Sequence, residues 1–363
     1  MALFMRYLYR FLLIGWIIAL ASCASPATTI PTPLSTTVPP TSTPRPTQMA
    51  TDTPTVEAPT LEAGQSTFAF YHEGRGQVVL VNGGPEQGKP ENDPLELWGW
   101  DGHEWSLIPI DANGPTWRNW SAIAYDKDRD VLVIHGGLQS RTQRFDETWE
   151  WDGTMWTEFT GEGPGLREGA LMAYDLARDN MVLFGGAEDM DIKGETWQWE
   201  DGAWTLASET GPAPRFPGGM VYDPKSEQVL MYSGHFASTT GEFIDYDDLW
   251  AWDGNQWREI KAEGAAPGHR THDAMVFDPQ TNRILLFGGG MDVFKSDIWA
   301  WDGGQWAEVA ASGVPARSGH SVAYDPGRNR FVFFGGIERP AQPAMSDTWE
   351  WDRRQWFCLS NCQ

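Results

Sequence analysis

Trp149-Glu150-Trp151-Asp152-Gly153-Thr154-Met155-Trp156 states a pattern, Trp-x-Trp-(Asp/Glu)-x-x-x-Trp, that returns five more times along this chain of 363 residues. The copies begin at Trp98, Trp149, Trp197, Trp250, Trp299 and Trp349, in steps of 51, 48, 53, 49 and 50 residues, and take up 18 of the 21 tryptophans. Such a period marks a supersecondary unit that cannot bury its apolar face alone and must stack on its neighbours. Within each copy the pattern predicts a β-hairpin. Asp-Gly at Asp101-Gly102, Asp152-Gly153, Asp201-Gly202, Asp253-Gly254 and Asp302-Gly303 supplies the tight reversal. Trp151 and Trp156 then face one another across the strand pair, with Trp149 on the same side. One face of every hairpin is paved with three indoles, and the adjacent repeat is the layer available to cover it. Because these tryptophans recur in every unit, packing accounts for them better than a role as sugar-stacking platforms.

Outward from the hairpins, residues 66–363 divide into six units of four strand-like runs, clearest in the fifth at 273–277, 284–287, 297–301 and 305–309. A turn such as Tyr125-Asp126-Lys127-Asp128 or Tyr324-Asp325-Pro326-Gly327 separates the first two runs. A small-residue pair follows the second: Gly83-Gly84, Gly136-Gly137, Gly185-Gly186, Ser233-Gly234, Gly288-Gly289 and Gly335-Gly336. Four antiparallel strands per unit, repeated six times, predict an all-β fold, a six-bladed β-propeller. The first unit opens on its first strand and the last closes on its fourth. The blades are therefore expected to be contiguous in sequence, with no strand exchanged between the termini.

In the last unit Pro315, Arg317, His320, Tyr324, Asp325, the Phe-Phe-Gly-Gly of 333–336, Asp347, Trp349, Trp351, Asp352 and Trp356 stand in an order that resembles a Kelch repeat. The likeness runs over the whole of 66–363. Two departures are visible: the first unit lacks the Pro-x-Arg opening, and the fourth carries Ser233-Gly234 in place of Gly-Gly. The resemblance implies a Kelch-type propeller, a superfamily that includes binding modules, galactose-oxidase-type enzymes and exported sialic-acid mutarotases. A copper radical oxidase needs a crosslinked Tyr-Cys pair, and the only cysteines of the predicted propeller, Cys358 and Cys362, stand at its C-terminal end. That activity is not expected.

The chain carries a net charge of −24, which argues against nucleic acid or anionic lipid as an electrostatic partner. Residues 1–22 place Arg6 and Arg10 before an apolar run and end in Ala21-Ser22, the layout of a secretory signal. Leu20-Ala21-Ser22-Cys23 further resembles a bacterial lipobox, with Cys23 as the lipidated mature N-terminus; an ordinary signal peptide or an uncleaved anchor is the alternative, and each puts the rest outside the cytoplasm. Residues 23–65 are dominated by Pro, Thr, Ser and Ala and read as a disordered stalk. The expected setting is extracytoplasmic and membrane-anchored. Cys358 and Cys362, four residues apart, are placed to form a disulfide there.

In each blade the second-to-third loops and the inter-blade connections share one face. Here these loops vary between repeats (85–95, 138–146, 187–194, 235–247, 290–296 and 337–346), so individual function is expected on that face. Arg118, Arg167, Arg215, Arg270 and Arg317 recur eight residues before the turn aspartate, and Glu96, Glu147, Glu195, Asp248, Asp297 and Asp347 recur two residues before the first hairpin Trp. Across roughly 9.6 Å, two strand spacings, with Gly-Gly leaving room above the intervening backbone, the pairs read as one ion pair per blade. The sharper alternative is an arginine ring at the channel mouth that receives an anion.

Residues outside the repeat are the better ligand candidates: Trp117 and Trp120 flanking Arg118; His235, Phe236, Phe243 and Tyr246 in the longest loop; and His269, His272 and His320 at first-strand entrances. Each has a plain alternative as loop packing or a satisfied rim residue. Asp189-x-Asp191-x-Lys193-Gly194 imitates a calcium loop, but Lys193 stands where an oxygen ligand is needed. No metal or cofactor is expected. The reading that needs nothing further is a monomeric, non-enzymatic module binding an extracytoplasmic protein or glycan. A mutarotase-like enzyme using Arg317, His320, His272 and Glu168, and a structural envelope component, are the alternatives.

Overall fold

The tryptophan hairpins form the outer strand pairs of six four-stranded antiparallel sheets. The computed structural model describes residues 59–362 apart from 65, 85–88, 111–112, 190, 239, 291–292, 310–312 and 340–341; the expected signal segment, Cys23 and most of the expected stalk lie outside the described residues. In chain order the blades are β1–β4 (Thr67–His72, Gln77–Asn82, Glu96–Trp100, Trp105–Leu107) and β5–β8 (Ala122–Asp126, Val131–His135, Thr148–Trp151, Trp156–Phe159). The third blade has β9 (Leu171–Asp175), β10 (Asn180–Phe184), β13 (Thr196–Glu200) and β14 (Ala203–Ser208), with a small hairpin of β11 (Ala187–Glu188) and β12 (Asp191–Ile192) in its loop. The last three are β15–β18 (Phe216–Asp223, Gln228–Ala237, Phe243–Trp252, Trp257–Ile260), β19–β22 (Ala274–Asp278, Arg283–Phe287, Ile298–Trp301, Trp306–Glu308) and β23–β26 (Ser321–Asp325, Arg330–Phe334, Thr348–Trp351, Trp356–Ser360). No helix among the described residues is long and apolar enough to cross a membrane.

The first strands β1, β5, β9, β15, β19 and β23 pack on one another in turn, and β23 returns to β1. The ring is a closed six-bladed propeller. Its core is six seams, and at each the three indoles of one blade cover the blade before it. Trp149, Trp151 and Trp156 lie against Phe70, Val79, Val81 and Leu97; the third, fourth, fifth and sixth blades repeat the arrangement. Trp98, Trp100 and Trp105 of the first blade complete it on Ala323, Val332 and Phe334 of the sixth. A buried indole removes on the order of 200 Å² from water, about 5 kcal/mol before ordering costs.

Five of the indole N–H groups find partners across the same seams. Trp105 donates to Thr348 Oγ1 at 2.9 Å, Trp204 to Thr148 Oγ1 at 2.7 Å and Trp257 to Thr196 Oγ1 at 2.7 Å. Trp100 donates to Glu350 at 2.9 Å, and Trp199 to Glu150 at 2.8 Å. The closing seam thus repeats the bonding of the seam between the second and third blades, and no strand is exchanged between the ends. The packed chain also reaches back past residue 66. Leu61 and Ala63 pack on the closing seam, because the Asn82 amide accepts from Gly64 N–H and donates to the Glu62 carbonyl, both at 2.9 Å.

The recurrent Tyr-Asp turn has a local cause. Asp126 Oδ1 accepts the N–H groups of Asp128 and Arg129, each at 2.9 Å, and Asp278 and Asp325 cap their turns likewise. The first blade has His72 at this place, joined instead to Asp130 of the second blade at 3.0 Å. The calcium-loop imitation is the β11–β12 turn, where Lys193 Nζ lies 2.5 Å from Asp191. Among the described residues no group of three or more His, Cys, Asp or Glu side chains is placed to hold a metal ion. Cys358 and Cys362 are disulfide-bonded, their Cα atoms 6.0 Å apart.

Candidate functional site

The recurrent arginines leave the first strand, pass over the small-residue pair and end on the acid of the third strand. Arg317 Nη1 donates to the Gly335 carbonyl at 2.8 Å and the guanidinium grips both oxygens of Asp347 at 2.8 Å. Arg270 does the same with Gly288 and Asp297, and Arg215 with Ser233 and Asp248. Arg118 meets Glu147 at 2.9 Å and Arg167 meets Glu195 at 3.3 Å. All five are buried. Arg118, Arg270 and Arg317, candidates for an anion-binding ring, are instead committed to ion pairs inside their own blades. They rigidify the variable face and offer no open fork to a ligand.

The small-residue pair serves the next blade as well. The N–H of Gly137, Gly186 and Gly289 donates to the carbonyl of the following blade's arginine, at 2.7, 3.1 and 2.9 Å. In the fourth blade the Ser233 hydroxyl takes over this contact, reaching the Arg270 carbonyl at 2.7 Å. Ser233 holds φ 65 in the place where the other blades use glycine. The departure seen in sequence is a substitution of one donor for another. It accompanies an unusual blade, in which β16 and β17 continue to Ala237 and Phe243 and raise a hairpin above the face.

The channel mouth lies beside this hairpin. Two residues after four of the five arginines the backbone turns into the left-handed region, at Trp120 (φ 62), Gly169 (φ 68), His272 (φ 51) and Gly319 (φ 71); after Arg215 the place is taken by Pro217. Glycine suits that conformation, and a bulky side chain there is strained. Rim hydrogen bonds hold it: Gly169 N–H donates to the Trp120 carbonyl at 2.8 Å, and Gly319 N–H to the His272 carbonyl at 3.0 Å. Trp120 belongs to the second blade and His272 to the fifth, diametrically across the ring. Their rings meet edge to face with centres 5.0 Å apart. The indole therefore spans the mouth.

Around this pair stand Phe216, His235 and Phe243. His235 is sandwiched between Phe216 (5.3 Å) and Phe243 (5.6 Å), and Phe216 presses against Gly169, where a Cβ would lie 2.7 Å from its ring. His269 closes the outer side, 3.0 Å from Asp245 and 3.2 Å from the Tyr246 carbonyl, while the Tyr246 ring stacks on Arg215. Burial, with His272 and His269 nearby, pushes His235 down to about 3, and burial pushes His272 to about 4. These two imidazoles are neutral at pH 7. The mouth is aromatic and weakly polar, suited to an apolar side chain, an aromatic ring or the face of a sugar.

The other predicted residues lie elsewhere. Trp117 is buried against Gly84 with its N–H on the Pro90 carbonyl at 2.7 Å, so it packs the first seam and does not reach the mouth. His320 is buried, stacked on Phe333, and pushed down to about 3 by burial and Arg317. Phe236 sits one residue on from His235 along β16, half-buried and paired with Ile244. Phe216 belongs to the site although nothing in its sequence position singled it out. Aligning the repeats on their arginines exposes the decisive signal: Trp120 and His272 occupy the place where the third and sixth repeats have glycine.

The family described as the KLHDC2/KLHL20/DRC7 Kelch-repeats domain matches residues 69–289, more than half of the chain. The chain belongs to the Kelch-repeat family. The match spans the first four blades of the Kelch propeller and the first two strands of the fifth, and the remaining strands continue the same repeat to Ser360. Among curated proteins no sequence match was found.

Proposed function

We propose that this Kelch propeller is an extracytoplasmic, lipid-anchored, non-enzymatic module that binds a protein or glycan at the aromatic mouth of its variable face. The observation that carries the reading is the Trp120–His272 pair. Two side chains are kept in left-handed backbone where sister repeats carry glycine, and they meet across the ring. Strain retained at a rim against an available glycine solution points to a task other than packing. Kelch propellers are commonly protein-binding modules, which agrees with it. Anchoring rests on the order of Arg6, Arg10, the apolar run and Leu20-Ala21-Ser22-Cys23, with the Pro/Thr-rich stretch as spacer.

The sugar-active alternative has less support. Arg317 is held by Asp347, Glu168 by Arg144 at 3.2 Å, and His320 is stacked beneath Phe333, so its acid-base groups are not gathered at one place. The test is to probe protein and glycan arrays with the purified protein and repeat the hits with Trp120→Gly/His272→Gly. Hits that survive unchanged would refute the site. Mass spectrometry of the membrane-extracted N-terminus tests the anchor; an unmodified Cys23 would refute lipidation.

A further inference from the structure

The aromatic groups of the mouth are not fully covered. Trp120, Phe216 and Phe243 are each half-buried, so part of every ring reaches solvent. The face of such a ring carries partial negative charge and attracts a cation. His235 stands in the same wall, 8% exposed, and its Nδ1 has no hydrogen-bond partner. The raised hairpin adds carboxylates. Asp245 lies directly opposite His235 across β16 and β17, which puts both side chains on one side of the strand pair, and Asp247 follows it; both acids are exposed. Asp245 leans on His269 at 3.0 Å, whereas Asp247 enters no ion pair among the described residues. Across the mouth, beside the rim residue Gly169, Glu168 and Asp189 share a single cation, Arg144. The other positive charges nearby are turned inward: Arg215 and Arg270 onto their acids, and Lys295 onto the Pro267 carbonyl at 2.9 Å. An aromatic surface is therefore bordered by carboxylates in excess.

We propose that the mouth takes the guanidinium of an arginine side chain presented by a protein partner. The inference rests on the mouth being the binding site and names what it binds. A guanidinium only donates hydrogen bonds, and carboxylates and a bare imidazole nitrogen accept them. It is planar and weakly hydrated, so it can lie on an indole or phenyl face while its edge reaches Asp245. A lysine ammonium is compact and strongly hydrated, and covers less of the rings. An anion meets Asp245, Asp247 and Glu168 with no arginine fork open to it. A sugar could cover the rings, but it would gain nothing from the charge of the border. The net charge of −24 steers a basic partner towards the protein and repels an acidic one.

The experiment is saturation-transfer NMR of the full-length protein with blocked pentapeptides, two glycines on either side of a central Arg, Lys, Leu or Glu. The Arg peptide is expected to give the strongest transfer. Its affinity should fall about tenfold with Trp120→Gly, and about threefold or more both with Asp245→Asn/Asp247→Asn and on raising the salt from about 0.05 to 0.5 M. The melting temperature of the double Asn variant should match the parent's. No transfer from the Arg peptide overturns the proposal, as does equal or stronger binding of the Leu or Glu peptide, or indifference to the Asn variant. Arg binding that persists with Trp120→Gly would put it elsewhere on the acidic surface and also overturn it. Array hits abolished by Trp120→Gly/His272→Gly but unchanged by Asp245→Asn/Asp247→Asn would keep the mouth as the site and end the arginine assignment.

Discussion

The indole of Trp120 and the imidazole of His272, carried by opposite blades, close the propeller mouth edge to face at 5.0 Å. Because Gly169 and Gly319 occupy the equivalent rim positions, the fold itself supplies the control substitution. Trp120→Gly should leave the melting temperature unchanged or raise it, since relief of left-handed strain of about 1 kcal/mol or more offsets lost contacts. Affinity for an array-identified partner should fall by roughly 2 kcal/mol, the scale of an aromatic hot spot. Calorimetric melting beside titration measures both. A large fall in melting temperature with affinity intact would make Trp120 a core residue.

Arg270 tests the ion-pair frame. It is fully buried, and its guanidinium donates to the carbonyls of Gly288 (2.8 Å) and Pro267 (2.6 Å) and to both oxygens of Asp297 (3.0 and 3.2 Å). Arg270→Ala strands a carboxylate and two carbonyls, and should cost about 3–5 kcal/mol. Chemical denaturation measures it. The double variant Arg270→Met/Asp297→Leu should recover much of the loss, because an apolar pair leaves no unmatched charge. A single variant as stable as the parent would reopen the anion ring.

How far this was legible depends on whether the information repeats. The hairpin at Trp149–Trp156, the blade count and the contiguous ring follow from residues present in every unit, since each must satisfy the same seam, and the Arg270–Asp297 type of pair from an arginine and an acid that recur together in five of the six. Strand limits agree closely: the fifth unit, read at 273–277 and 284–287, forms at Ala274–Asp278 and Arg283–Phe287. The site was legible only in part. Trp117 and Trp120 look equivalent in sequence, three residues apart and outside the repeat, yet Trp117 turns into the seam and Trp120 out over the channel. That difference lies in backbone dihedrals, which the chain reveals only when the repeats are laid on one another. The meeting of Trp120 with His272 is set by ring closure, and Phe216 joins them only because the fourth blade's sheet is extended.

Acid should loosen the ring through its buried histidines. Burial holds His135 at about 4, and His235 and His320 at about 3. For His135 burial dominates, helped by the nearby Arg167 and Arg118 and opposed by the Gly165 carbonyl, and the neutral ring is held in place: Trp204 N–H donates to the Thr148 hydroxyl, which donates to Nδ1 at 2.9 Å, while Nε2–H is given to the Gly165 carbonyl at 3.1 Å. A proton on Nδ1 would break this relay. The folded pKa lies below the unfolded value near 6.5, so the unfolded chain binds more protons in between. Stability is complete above about pH 6.5 and falls as pH drops towards 4, by roughly 2 kcal/mol per histidine at pH 5. Urea unfolding at pH 7.5 and pH 5 should show this loss, and His135→Asn should make it shallower by about that amount. A parent whose stability is flat between these pH values would contradict the assignment.

Asp273 should act in the opposite sense. Its carboxyl fills the space that Gly218 and Gly219 leave in the fourth blade, lying 2.6 and 2.7 Å from where their Cβ atoms would be. It is 8% exposed, and neither oxygen has a hydrogen-bond partner in another residue. Burial raises its pKa to about 7, against the pull of Arg270 and Lys295. An unfolded aspartate ionises near 4, so between about pH 4 and 7 the folded state holds a proton the unfolded chain has lost. Stability from this group therefore declines as pH rises through that window and is constant above it, a difference of about 4 kcal/mol at most. Asp273→Asn keeps the shape and removes the charge. The variant should be more stable than the parent at pH 8 and nearly equal to it at pH 4.5, because there the parent carboxyl is already neutral. Denaturation midpoints of both proteins at the two pH values decide the matter. An Asn variant less stable than the parent at pH 8 would mean that Asp273 is ionised and paired in the folded ring.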